Sequence, residues 1–240
     1  MEFSKVASAI KSIEDEGICV CVLGEVALNY YNVPRVIHDI ELCVPRESLE
    51  LACSILVSNF PCEPDELESF DLFTEYKQGW PRFRFTPADA PLSAFGIVVF
   101  SDEYMKLDPL DQATVPRTEA LKAKAFSSQI LESVSARDVH LFPMPKLPCY
   151  VKSLCERYLS SGDVMARIAV EQLVDGMDPD EDWCERNIGN ETSDEAQQLL
   201  LSLVQRKQFR IDDFSGKSVT CFIADQKEAM RLRGIPGYEP

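Results

Sequence analysis

Two short stretches of this chain combine residue types and spacing that could do chemistry: Gly24-Glu25, and Asp39-Ile40-Glu41 a little further on. Successive side chains of an extended strand point to opposite faces, so Asp39 and Glu41 share one face while Ile40 and Leu42 take the other. Two neighbouring carboxylates repel unless a cation lies between them. A divalent ion such as Mg²⁺ is one such cation. Internal pairing is the other, through Arg35 or through Lys77, Arg82 or Arg84 on adjacent segments, because a buried unpaired carboxylate is costly.

The elements that must position these residues follow from the hydrophobic pattern. Residues 3–13 repeat apolar side chains at helical spacing and stop before Gly17. Residues 18–23 form an apolar run too short for a helix, which predicts a strand buried on both faces. Gly24 then turns the chain into a second helix over 25–31, ended by Pro34. Residues 39–44 are the second strand, and a helix over 46–57 turns Leu49, Ala52, Cys53 and Leu56 inward. Further strands are expected at 82–85 and 96–100, joined as neighbours through a loop containing Pro87 and Pro91.

Beyond residue 100 the pattern becomes helical. Val115-Pro116 closes a short strand, 119–133 has the composition of a helix, and Pro143, Pro145 and Pro148 make a stiff connector. Helices are expected at 150–159 and 164–174, from Asp178-Pro179 onward, at 195–209, and after the cap at Asp225. The organisation expected is an α/β (α+β) core over 1–140, a mixed sheet flanked by helices, with a helical region over 141–240 packed on it.

Composition narrows the classes. The 240 residues are 45% apolar and 27% charged, as in an ordinary folded domain. A formal net charge of −16 opposes any non-specific hold on nucleic acid or an anionic membrane. No apolar run is long enough for a membrane span and no signal peptide is read at the start. Nine cysteines without a C-x-x-C pair predict reduced thiols, a cytoplasmic protein and no zinc site.

Residues 23–42, with Gly24, the helical Ala27 and Leu28, Arg35, Asp39 and Glu41, resemble the signature of the DNA polymerase beta-like nucleotidyltransferase superfamily. They are most similar to its minimal nucleotidyltransferases of the bacterial abortive-infection toxin type. The resemblance covers residues 1–60 and, more loosely, 80–125. It implies a nucleotidyltransferase-like fold and Mg²⁺-dependent transfer of a nucleotidyl group from a nucleoside triphosphate to a hydroxyl of a small molecule or protein. Asp39 and Glu41 would be the catalytic acids and metal ligands, and Gly24, Glu25 and Arg35 would meet the nucleotide. Three positions depart from the pattern: Glu25 replaces a small residue, Ile37 a threonine, and Val98 stands at the place of the third acid. Asp102, Asp71 or Glu75 would have to supply that acid. A catalytically degenerate relative that binds a nucleotide or a protein partner is the alternative the same residues allow.

Other motifs favour structural roles. His38 points away from the acid pair, and His140 has no partner in view. The acids at 178, 180 and 182 do not complete a calcium loop, because Trp183 and Gly189 stand where glycine and glutamate are needed. The basic run 206–210 suits the negative end of a helix. Tyr30, Tyr31, Trp80 and Phe83 are expected in the core.

Overall fold

One five-stranded mixed sheet, flanked by helices, organises the computed structural model, which describes residues 3–66, 72–85, 96–123, 125–189 and 192–240. The strands are β1 (Cys21–Leu23), β2 (Asp39–Val44), β3 (Cys62–Pro64), β4 (Arg82–Phe85) and β5 (Gly96–Ser101), in the spatial order β1-β2-β5-β4-β3. β2 and β5 run parallel, and every other neighbouring pair is antiparallel. The α+β class expected from the sequence is the class found.

Helix α1 (Phe3–Asp15) buries the stripe Phe3, Val6, Ala9, Ile10 and Ile13, and ends as expected before Gly17, whose φ of 79° suits a glycine stop. α2 (Gly24–Tyr30) follows β1 without a linker, and α3 (Leu49–Asn59) returns behind β2 after a short 3₁₀ turn over Arg46–Ser48. Its inward residues are Ala52, Ile55 and Leu56, with Leu49 and Cys53 half-buried, so the inner face is rotated by about one residue from the expected one. Strand β1 is shorter than the apolar run around it, because Ile18 and Val20 are buried outside the ladder. The expected loop through Pro87 and Pro91 lies outside the described residues.

Among the described residues, four short α-helices connect the sheet to the C-terminal part: α4 (Asp102–Met105), α5 (Leu110–Ala113), α6 (Arg117–Ala120) and α7 (Ser128–Ser133). The single helix expected over 119–133 is therefore broken. Ser127 breaks it: its hydroxyl accepts from the Ile130 amide and donates to the Asn29 carbonyl, so α7 starts afresh on an anchor from α2. Val115-Pro116 is not a strand, since only Thr114 makes an isolated bridge, to Pro145.

Helices α8 (Leu147–Ser161) and α9 (Val164–Met177) pack against each other across the Gly162 turn, where Asp163 caps α9 by accepting from the Ala166 amide. Pro148 lies in the first turn of α8 instead of in the connector, a position that proline tolerates. α10 (Glu181–Ile188), α11 (Asp194–Gln205) and α12 (Gln226–Leu232) complete the fold. Asp178 does not begin α10. It closes α9 at a φ of 51°, and Asp180 caps α10 through the Trp183 amide. No helix among the described residues is long and apolar enough to cross a membrane.

Candidate functional site

Strand β2 occupies the residues expected of it, and its register places the acids mid-sheet. Asp39 faces Gly96 and Glu41 faces Val98 on β5, while Leu23 of β1 faces Glu41 from the other side. On β4, Arg82 is the partner of Val98. The strand position beside Glu41 thus carries a valine with no accessible surface, and no third acid.

Asp39 and Glu41 are nevertheless not alone. Lys77 Nζ lies 2.7 Å from Asp39 Oδ2 and 3.1 Å from Glu41 Oε1, bridging the two carboxylates. Arg82 Nη1 lies 2.7 Å from Asp39 Oδ1, and the Tyr76 hydroxyl donates to Glu41 Oε1. The bridging group is buried: the side chains of Lys77, Asp39 and Glu41 are 5%, 6% and 2% exposed. Of the internal partners weighed from the sequence, Lys77 and Arg82 take the role. Arg84 pairs instead with Asp65 at 3.2 Å, and Arg35 turns to Gln172.

Two glycines make this arrangement fit. A Cβ on Gly24 would come within 2.4 Å of the Glu41 carboxyl carbon, and its φ of +59° is a left-handed conformation. A Cβ on Gly96 would come within 2.4 Å of the Arg82 guanidinium, which crosses β5 there to reach Asp39 on the next strand. Gly24 therefore gives room to a carboxylate of the protein itself, where the resemblance implied room for phosphate.

The remaining expected residues are placed as follows. Glu25 accepts from the His38 amide and lies 2.7 Å from His38 Nδ1, so its charge is turned to the exposed imidazole. His140 sits in a 3₁₀ turn, its carbonyl accepting from Arg117. Asp102 lies at the far end of β5 from the pair and accepts from the Arg46 and Glu103 amides, which accounts for it as a cap. Glu75 is exposed, and Asp71 lies outside the described residues. Among the described residues no group of three or more His, Cys, Asp or Glu is placed to hold a metal ion.

The pair faces a cavity of about 370 Å³ lined by Gly24, Glu25, Arg35 and His38 and by residues of α8 and α9. Sequence reading missed its far wall: Tyr150, Leu154 and Arg157 on α8, and Met165 and Ala169 on α9. Only the buried position of a charged residue within an apolar helix face singles out Arg157. Its guanidinium ion-pairs with Asp163 and lies 5.3 Å and 5.5 Å from the ring centres of Tyr76 and Tyr104. Tyr30, Tyr31 and Phe83 are core residues as expected, and Trp80 is half-buried against Phe100 and Tyr104.

The basic run near 206–210 is also spent internally. Lys207 Nζ lies 2.5 Å from Asp178, and Arg210 forks onto Asp175 at 2.6 Å and 2.7 Å, clamping the chain beyond α11 to the end of α9. All nine cysteines are free. Burial raises the thiol pKa values of Cys53, Cys155, Cys184 and Cys221, to about 11 for the first and about 12 for the others, so thiolate chemistry has no support there.

The network predicts a pH profile. Burial acts to raise the Asp39 pKa, but Arg82 and Lys77 outweigh it and hold the carboxyl below its ordinary value of 3.8. A carboxyl with a lowered folded pKa takes up fewer protons in the folded state than in the unfolded one, so its stabilisation is complete above the ordinary value. It is lost as pH falls through the folded value. Lys77 behaves oppositely: burial lowers its pKa, Glu41 and Asp39 more than restore it, and the net raised value gives stability that fades only as pH rises above about 10.5. Urea midpoints should fall on the acid side below about pH 4, and on the alkaline side from about pH 9, where the thiols of Cys53, Cys155, Cys184 and Cys221 ionise in the unfolded chain before they do in the folded one. Asp39→Asn should flatten that acid limb, and an unchanged limb would remove Asp39 from the network.

Compared with known proteins, the chain matches no protein-family model and no curated relative.

Proposed function

We propose that this chain is a non-catalytic, nucleotidyltransferase-like protein whose sheet has exchanged a metal for a lysine and whose cleft serves as a binding module. One observation carries the reading: Lys77 Nζ occupies the bay between Asp39 and Glu41, within 3.1 Å of both. Mg²⁺ requires near-octahedral oxygen ligands at about 2.0–2.1 Å. Here both oxygens of Asp39 and Oε1 of Glu41 face Lys77, Arg82 and Tyr76, all of them donors or cations, and that set does not fit Mg²⁺. Glu25 at the start of α2 adds a negative charge where a triphosphate would approach. Metal-dependent transfer, the first expectation from the resemblance, would need Lys77 to leave a buried ion pair.

Two measurements on the intact chain test this. Incubation with each labelled nucleoside triphosphate and Mg²⁺ or Mn²⁺ should give no label transfer to protein, water or added alcohols. Calorimetric titration with the same pairs should give no metal-dependent heat. Transfer that disappears in Asp39→Ala would overturn the reading and restore the enzyme.

A further inference from the structure

We propose that the cavity between α2, α8 and α9 binds a small, largely apolar molecule bearing a single anionic group, and that Arg35 reads that group. The inference rests on the proposed function, because it takes the acid pair as closed by Lys77.

Charge accounting around the cavity leads to Arg35. Asp39 and Glu41 are answered by Lys77 and Arg82, and Arg157 by Asp163, while Glu25 is hydrogen-bonded to His38, a counter-charge only when its ring is protonated. Arg35 alone among these cations has a neutral partner: its Nε and Nη2 donate to Gln172 Oε1 at 3.0 Å and 2.6 Å. A guanidinium carries five N–H donors, so about three stay unspent on protein acceptors among the described residues.

The side chain is also held ready. Asn29, buried in α2, accepts from the Arg35 amide at 3.1 Å and donates to the Arg35 carbonyl at 2.8 Å and the Glu25 carbonyl at 2.9 Å. Backbone and guanidinium are therefore both gripped while the charge is left over, the preorganisation that a recognition group needs. Met165, Ala169 and Gln172 share one face of α9, so Arg35 sits at the end of an apolar strip completed by Leu28, Met105 and Leu154.

The cavity of about 370 Å³ has one apolar wall, of Leu28, Met105, Leu154, Met165 and Ala169, facing a polar floor whose acids Asp39 and Glu41 are paired within the protein, a mixed lining that suits a small molecule with an apolar body and a charged end. One guanidinium suits one anion. A triphosphate would bring several charges towards Glu25 and a glycine whose open side is already filled by Glu41.

The probe is 1-anilinonaphthalene-8-sulfonate, an aromatic body with one sulfonate, titrated into the full chain by fluorescence, with uncharged N-phenyl-1-naphthylamine as control. Saturable one-to-one binding is expected. Gln172→Glu, which places a carboxylate on Arg35, and Arg35→Gln should each weaken the sulfonate roughly tenfold and leave the neutral probe unchanged. Arg35→Lys should keep most of the sulfonate affinity, and Ala169→Phe should reduce both probes by filling the cavity. Sulfonate binding that is absent, or that is the same in Gln172→Glu and wild type, would overturn the proposal. Should Ala169→Phe fail to fold, Gln172→Glu decides, since it adds an ion pair without removing a contact. Label transfer from a triphosphate would defeat the non-catalytic reading while the Arg35 dependence could still stand, and loss of that dependence without transfer would defeat only the ligand assignment.

Discussion

Lys77→Met should cost about 3–5 kcal/mol of folding stability, the largest loss expected from any single substitution at the site. Lys77 is the cation shared by both acids, and methionine keeps its length and apolar stem while deleting the charge. Asp39 would retain Arg82. Glu41 would be left with only a tyrosine hydroxyl, a buried charge without a counter-ion. Urea denaturation at pH 7 measures the loss as a fall in midpoint with the slope preserved. Restoring charge balance should recover most of it, so Lys77→Met combined with Glu41→Gln should be markedly more stable than Lys77→Met alone. A single variant as stable as wild type would mean that the ammonium does not hold the acids together.

Gly24→Ala should be nearly as damaging, at about 2–4 kcal/mol, for a different reason. The added methyl must take a left-handed backbone at φ +59° and must also displace the Glu41 carboxyl group 2.4 Å away. The two parts can be separated. In a Glu41→Ala background the steric part vanishes and the same substitution should cost only about 1–2 kcal/mol, the strain of the backbone alone. Equal costs in both backgrounds would show that Gly24 serves the turn and not the carboxylate.

Much of the fold was legible because it follows from local periodicity. The alternation through Asp39-Ile40-Glu41-Leu42 located β2 to the residue, and the apolar stripe from Phe3 to Ile13 located α1. Errors arose where a tertiary anchor overrode local composition. Ser127 interrupts a run rich in alanine and leucine because its hydroxyl is needed by Asn29, and Asp178 ends α9 because Lys207 and Arg233 hold it there. β3 went unread because three residues with one buried side chain make no pattern.

The acids of the site could be read from type and spacing, whereas their partners could not. Arg35, Lys77, Arg82 and Arg84 were equal in the sequence, and only the pairing of β4 with β5 and the course of residues 75–77 decides among them. Tyr76 lies 35 positions from the acid it serves, and the grip of Asn29 and Gln172 on Arg35 spans 6 and 137 positions. Contacts of that range are products of topology, and no window of sequence contains them.

Gly96 has a last consequence, for the mutational paths open to the chain. Because the Arg82 guanidinium lies over that glycine and Val98 is the strand partner of Arg82, an aspartate introduced at 98 would meet a fixed cation before it met an ion from solvent. Removing Lys77 first strands Glu41, and removing Arg82 first takes from Asp39 one of its two cations. Loss of either cation alone therefore passes through a less stable protein, so the lysine-filled arrangement, once assembled, resists being dismantled one substitution at a time.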